Sequence, residues 1–340
     1  MRTNKLRCSP LCIFVAAVGL VGCSLTTSAL AQQPLEMPTL LNPANMGPVR
    51  FRLVSGRVTM SGLRLGSYST ASSSRGRSER LTFSAPNNQP AMSYESTSAA
   101  ERLSIEATGS RLQIRRLPQD DSGVVPVEFE QAPAGPLVLS VGPKEQRQVY
   151  RAASLWHLLI AHREVCQQHL VPLLRLLHRE WDLGKMLQEV EAILLSPAAG
   201  RDLPDRRRWA ALVEQLGDSR FSEREAADRQ LREAGRAVVP YLRQLDSSRL
   251  DAEQRYRIRR ILAALEETDD LQSPEQVAAW LSGDPAIWLS YMAHDDEPAR
   301  RLAASRLESL LGKPVCFDPA ADPATRARQL EKIRKQLGAS

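Results

Sequence analysis

Between Val49 and Tyr150 apolar and polar residues alternate in short segments, VRFRLV, GRVTMSGLRL, ERLTFSA, AMSYES, ERLSIEA, RLQIRRL, VPVEFE, PLVLSV and RQVY. A period of two marks a strand with one buried face. Turn signals separate the segments, among them Asn87-Asn88, Gly109-Ser110, Asp121-Ser122-Gly123 and Ala134-Gly135-Pro136. Many short strands at this spacing predict an all-β domain over 49–150, built as a sandwich or small barrel. The serine-rich interval from Ser67 to Ser78 lacks the alternation and is expected to be a flexible loop.

Beyond Arg151 the apolar period lengthens and stays helical to the C-terminus, which predicts an all-α domain over 151–340. Leu155, Leu158 and Leu159 begin the pattern, and Leu170, Leu173, Leu174 and Leu177 continue it. The stretch from Gly217 to Leu245 reads as two short helices packed together. Ser222 and Glu225 have the spacing of a capping box, and Ala227, Leu231 and Ala234 share one face. Glu223, Arg224, Asp228, Arg229 and Arg232 take the solvent sides. Gly235 is placed to end the first helix in the left-handed conformation, and Pro240 to open the second, whose stripe is Val238, Leu242 and Leu245. Ser273-Pro274-Glu275-Gln276, Asp284-Pro285 and Asp322-Pro323 are further helix starts.

Parts of this hairpin recur. Val171-Pro172-Leu173-Leu174-Arg175 echoes Val239-Pro240-Tyr241-Leu242-Arg243, and Arg224, Ala227 and Leu231 are echoed by Arg300, Ala303 and Leu307. Unequal spacings make the repeats irregular, and a hairpin of this kind buries its apolar face by stacking on others like it. With Asp218-Ser219 these residues resemble HEAT-type repeats over about half the chain. The ending Gly312-Lys313-Pro314, Cys316-Phe317-Asp318-Pro319, Asp322-Pro323 and Arg326 is similar to the tails of exported HEAT-domain proteins of planctomycete-type bacteria. The resemblance implies an α-solenoid used for protein contacts and carries no catalytic residues; the β-rich domain lies outside it.

The N-terminus changes the picture of the compartment. Arg2, Lys5 and Arg7 precede an apolar run from Leu11 to Gly22, and Ala29-Leu30-Ala31 follows, the layout of a signal peptide over 1–31 with cleavage before Gln32. Leu20-Val21-Gly22-Cys23 offers a competing lipoprotein site that would leave a lipid anchor on Cys23. The apolar run is short for a membrane span, so no transmembrane helix is expected in the mature chain. Residues 32–48 are rich in Pro and Asn and should form an extended, mobile lead-in.

Without the leader the net charge falls from +6 to +3, and the two parts that meet at Tyr150 carry 13 basic against 10 acidic and 29 against 29 residues. Neither is the footprint of a nucleic-acid binder. The clusters Arg206-Arg207-Arg208 and Arg255, Arg257, Arg259, Arg260 read as solvated helix faces. Outside the leader only Cys166 and Cys316 remain, which excludes a disulfide framework and leaves a single bridge open.

Candidate chemistry is sparse. His157, His162, His169 and His178 share one segment, but their spacings of five, seven and nine do not put zinc ligands in register, and no metal or cofactor is expected. His294-Asp295-Asp296-Glu297 has the acids that a helix start calls for. No nucleophile elbow, phosphate loop, C-x-x-C or dinucleotide fingerprint occurs. The expected function is therefore a non-enzymatic exported scaffold whose solenoid binds a protein partner. The alternative is an envelope-polymer hydrolase or lyase with its site in the β-domain or between the domains. Within the first reading Arg175 and Arg243, at matching places in the echoed helices, are the candidate contacts for an anionic partner.

Overall fold

In a computed structural model, residues 38–42, 46, 49–62, 67–74, 76–85, 89–119, 122–133, 135–196, 206–245, 247–266 and 273–337 are described. The leader, with Cys23 and both cleavage sites, lies outside them, as do Asn87-Asn88 and Asp121. Ten strands come first: β1 (Arg50–Val54), β2 (Arg57–Ser61), β3 (Tyr68–Ser74), β4 (Arg77–Ser84), β5 (Ala91–Thr97), β6 (Glu101–Thr108), β7 (Arg111–Pro118), β8 (Val127–Gln131), β9 (Leu137–Val141) and β10 (Gln148–Ala152). Strands β3 to β10 form an antiparallel meander in which each pairs with its sequence neighbours, while β1 and β2 pair as a separate hairpin.

The large sheet is open, with β3 and β10 as edges, so the strands do not close into the small barrel that their spacing suggests. Strand β3 is a further departure, because the serine-rich interval is a strand and not a loop. It pairs with β4 through a tight turn at Gly76, which takes the left-handed φ of 74°. Its alternation is missing because both its faces are exposed or only half-buried. The inner face of the other strands alternates as expected; Leu103, Ile105 and Ala107 of β6 lie beside Leu112 and Ile114 of β7 in the core.

Gln131 joins the two sheets. Its amide, with no exposed surface, accepts from Val58 N at 2.9 Å and donates to the carbonyls of Val58 and Ser110, each at 2.6 Å. The described part of the lead-in, 38–42 and 46, is also docked, contrary to the mobility expected of it. Both carboxylate oxygens of buried Glu79 accept backbone N–H groups, from Thr39 at 3.0 Å and Leu40 at 2.8 Å, and Leu40, Leu41 and Met46 are buried in the main core. Two satisfied amides and three buried apolar side chains outweigh the Pro and Asn content that points to mobility.

The chain beyond the strands is helical. Helix α1 is Leu155–Ala161; α2 (Arg163–Val165) runs through a π-helical turn (Cys166–Leu170) into α3 (Val171–Leu177); then come α4 (Leu183–Leu194), α5 (Arg206–Gln215), α6 (Phe221–Glu233), α7 (Val239–Gln244) and α8 (Ala252–Glu266). The C-terminal part holds α9 (Pro274–Ser282), α10 (Pro285–Tyr291), α11 (Glu297–Leu311) and α12 (Pro323–Leu337). No helix among the described residues is long and apolar enough to cross a membrane.

Several helix ends obey the chemistry of their sequence. Ser273 and Gln276 cap each other reciprocally at α9, Asp284 and Asp296 cap α10 and α11, and Gly235 and Gly312 take left-handed φ. Ser222 and Glu225 do not form a capping box. Helix α6 starts two residues earlier, at Phe221 with Arg220 in the cap position, so Ser222 sits inside it, and Glu225 turns instead to Arg257 at 2.8 Å.

That Arg257 is buried rather than solvated. It draws in Glu225, Glu253 and Asp228, which also removes Asp228 from the solvent face and ties α6 to α8. Paired with three carboxylates, a guanidinium can leave water where a lone one cannot.

The echoed arginines do the same thing twice. Arg224 Nη1 donates to the carbonyls of Asp218 at 2.7 Å and Ser219 at 3.0 Å, and Arg300 Nη1 to those of His294 at 2.9 Å and Asp295 at 2.6 Å. In both helices the acceptors lie six and five residues back, and the next echoed pair, Ala227 and Leu231 or Ala303 and Leu307, is fully buried. The recurrence is thus a local device that staples a helix to the turn before it.

The strand-to-helix change falls between Ala152 and Leu155, but the core does not stop there. One hydrophobic cluster runs from Leu41 and Phe129 through Trp156, Leu174 and Leu187 to Trp288 and Ile333. A smaller one, around Leu216, Ala227, Leu231 and Ile261, belongs to α5–α8.

Candidate functional site

Two arrangements stand out. The first is a buried chain of hydrogen bonds between Ser154, His157 and Asp284. Ser154 precedes α1 in an extended conformation, where its hydroxyl would ordinarily accept from a backbone N–H; it lies instead 2.7 Å from His157 Nδ1. His157 Nε2 is 3.0 Å from Asp284 Oδ2, and Asp284 Oδ1 accepts from Ala286 N at 2.9 Å to cap α10. A carboxylate only accepts, so Nε2 carries a proton, and in the neutral imidazole Nδ1 then accepts from the serine hydroxyl.

The order hydroxyl, imidazole, carboxylate is that of a nucleophilic triad. Access is what it lacks. Ser154 has no exposed surface, His157 keeps 7% and Asp284 3%. Gly56, in the tight turn between β1 and β2, closes over the serine so tightly that a Cβ there would lie 2.8 Å from Ser154 Cβ. Trp280 meets the His157 ring edge-on at 6.1 Å. The chain joins the β1–β2 turn, α1 and the α9–α10 junction, and as built it is a latch.

The sequence holds only fragments of this latch. His157 stands among the four histidines and Asp284 among the helix caps, 127 positions apart, and Ser154 carries no signal beyond its place before a helix. The other histidines go separate ways: His162 lies against the Tyr150 ring at 4.6 Å, His169 is buried in the π-helical turn, and His178 stacks on Trp181 at 5.1 Å. No three metal-ligating side chains gather among the described residues. Cys166 is buried and Cys316 exposed, and the two are not bridged. Burial pushes the Cys166 thiol up to about 12.

The second arrangement is an open groove of about 740 Å³ between α1, α10 and α12, beside the end of β10. Ala161, Ala286, Leu289 and Ala293 give it an apolar floor. Arg151, His162, Arg334 and Lys335 line it with cations or polar rings, and Glu331 is its one acid. Glu331 is taken by Lys335 at 3.2 Å. The guanidinium groups of Arg151 and Arg334 make no ion pair or hydrogen bond with any described residue. Burial, and then the nearby charge of Arg334, hold the His162 imidazole below its ordinary pKa, so the ring is neutral near pH 7.

Arg175 and Arg243 lie elsewhere. Both are exposed in the last turns of their helices and directly follow buried leucines, Leu174 and Leu242. Leu174 belongs to the main core and Leu242 to the smaller cluster. No protein-family description, no curated protein and no solved structure matches the chain.

Proposed function

We propose that this chain is a non-enzymatic, exported interaction protein whose helical region acts as a HEAT-like scaffold for a protein partner. The observation that supports it best is the repeated staple of Arg224 and Arg300, the same hydrogen bonds over the same Ala and Leu spacing in two helices. A recurring local unit of this kind suits a stack of helix pairs that offers surface rather than a pocket. The second support is the distribution of polar groups. Arg151 and Arg334, which pair with no described carboxylate, line an open groove, while the Ser154–His157–Asp284 chain is buried.

A hydrolase reading would rest on that chain, at the border of sheet and helices. Fluorophosphonate labelling of the intact protein decides the matter, because an acylating serine reacts and a sealed one does not; stoichiometric labelling of Ser154 would replace the scaffold reading. The scaffold reading itself is tested by capture from the native host. The variant R175E/R243E, with helix content unchanged by circular dichroism, is expected to lose the partner that the wild-type chain retains. Equal capture by both removes these arginines from the interface.

A further inference from the structure

We infer that the groove between α1, α10 and α12 is a docking site for an acidic, partly apolar peptide segment of a protein partner, gripped by Arg151 and Arg334. The inference rests on the scaffold reading and assigns it a surface other than the one around Arg175 and Arg243. Its starting point is charge. Some exposed arginines on this protein pair with carboxylates, as Arg147 does with Glu128 and Arg301 with Glu297. Arg151 and Arg334 pair with no described carboxylate, and they line one concavity from two different elements, a strand and a helix.

Arginine's planar fork binds a carboxylate bidentately, and two forks on separate elements fix two acidic side chains and hence a direction of chain. Lys335, already neutralised by Glu331, contributes reach rather than net charge.

The floor decides between kinds of anion. Ala161, Ala286 and Ala293 are small, exposed residues that line the groove together with the largely buried Leu289. An inorganic anion held by the two arginines would leave this floor wet. A segment that alternates acidic and apolar side chains covers it while meeting both guanidinium groups. A volume of about 740 Å³ lies in the usual range of ligand clefts, roughly 300–1,000 Å³. His162, which lines the groove, is itself packed on the Tyr150 ring at 4.6 Å.

The test uses the intact chain and a fluorescein-labelled peptide of alternating glutamate and leucine, with a glutamine–leucine peptide of equal length as control, read by fluorescence anisotropy. The glutamate peptide is expected to bind saturably, to weaken steeply with salt, and to bind at least roughly tenfold more weakly to R151Q/R334Q. The variant changes two exposed side chains and should melt like the wild type.

Equal binding of the two peptides overturns the inference, as does unchanged affinity in the double variant or no saturation up to millimolar peptide. Displacement of the peptide by an equal concentration of inorganic phosphate would make the groove a small-anion site and also overturn it. Self-association of the protein that R151Q/R334Q abolishes would assign the groove to a second copy instead. Failure here leaves the scaffold reading standing if the wild-type chain still captures a host partner, whereas peptide binding without any captured partner sinks that reading and not the groove.

Discussion

Replacing Asp284 by alanine isolates the latch. Its two oxygens have separate duties, Oδ1 toward Ala286 N at 2.9 Å and Oδ2 toward His157 Nε2 at 3.0 Å, with only 3% of the residue exposed. Losing the helix cap costs about 1 kcal/mol. Losing the acceptor for the ring N–H of the buried His157 costs about 1–3 kcal/mol. The alanine variant should therefore be destabilised by about 2–4 kcal/mol. Asp284→Asn keeps one acceptor and turns its amide N–H₂ toward the ring, which can present a lone pair by switching tautomer; about 1 kcal/mol is expected.

Urea unfolding followed by tryptophan fluorescence measures both, and Trp156 and Trp280 sit close enough to the latch to report on it. In a double-mutant cycle with His157→Ala the two residues should couple by about 1–2 kcal/mol. An alanine variant within about 0.5 kcal/mol of wild type, or an asparagine variant as damaged as alanine, would refute the reasoning.

Three further measurements probe other parts of the molecule. His162 and His169 both have pKa values lowered by burial, so the unfolded chain takes up protons first as pH drops; stability should hold above the ordinary value of 6.5 and decline below it, and His169→Gln should flatten that slope in urea midpoints taken from pH 7.5 to 5.5. Gly56→Ala, at φ +68° with Ser154 Cβ 2.8 Å from the added carbon, should lower stability by about 2–4 kcal/mol, whereas Gly109→Ala, at φ +56° in open space, should cost about 1 kcal/mol; thermal melts compare them. Iodoacetamide at pH 8 should alkylate exposed Cys316 long before Cys166, whose buried thiol is raised to about 12, and peptide mapping by mass spectrometry reads the order.

Periodicity makes most of the strands and helices legible, because a half-buried strand or helix must alternate in step with its geometry. It fails at β3, where no face is buried and serine leaves no pattern to read. It fails again at the lead-in, since the carboxylate that satisfies Thr39 and Leu40 comes from Glu79, 40 positions on from Thr39. Arg257 and Asp228 escape a sequence reading for a related reason. Charge is solvated by default, and the exception depends on partners from a neighbouring helix that sequence spacing does not bring together.

The candidate sites show the same division. Arg224 and Arg300 can be matched in sequence because their acceptors are five and six residues away. Arg151 and Arg334 cannot, because what brings them together is a groove that a strand and a helix share.

The hydrophobic cluster that passes from the sheet into the helices bears on how this chain loses its structure. Leu103 or Phe129 on the sheet and Leu187 or Trp288 in the helices are parts of one packed interior, so loosening either region uncovers the other. Calorimetry should then record a single endotherm for the two, with the van't Hoff and calorimetric enthalpies in agreement. A protease that nicks the chain near Tyr150 would leave the pieces clasped together rather than release two stable fragments. Moving either half onto another protein would hand its new host an uncovered apolar face.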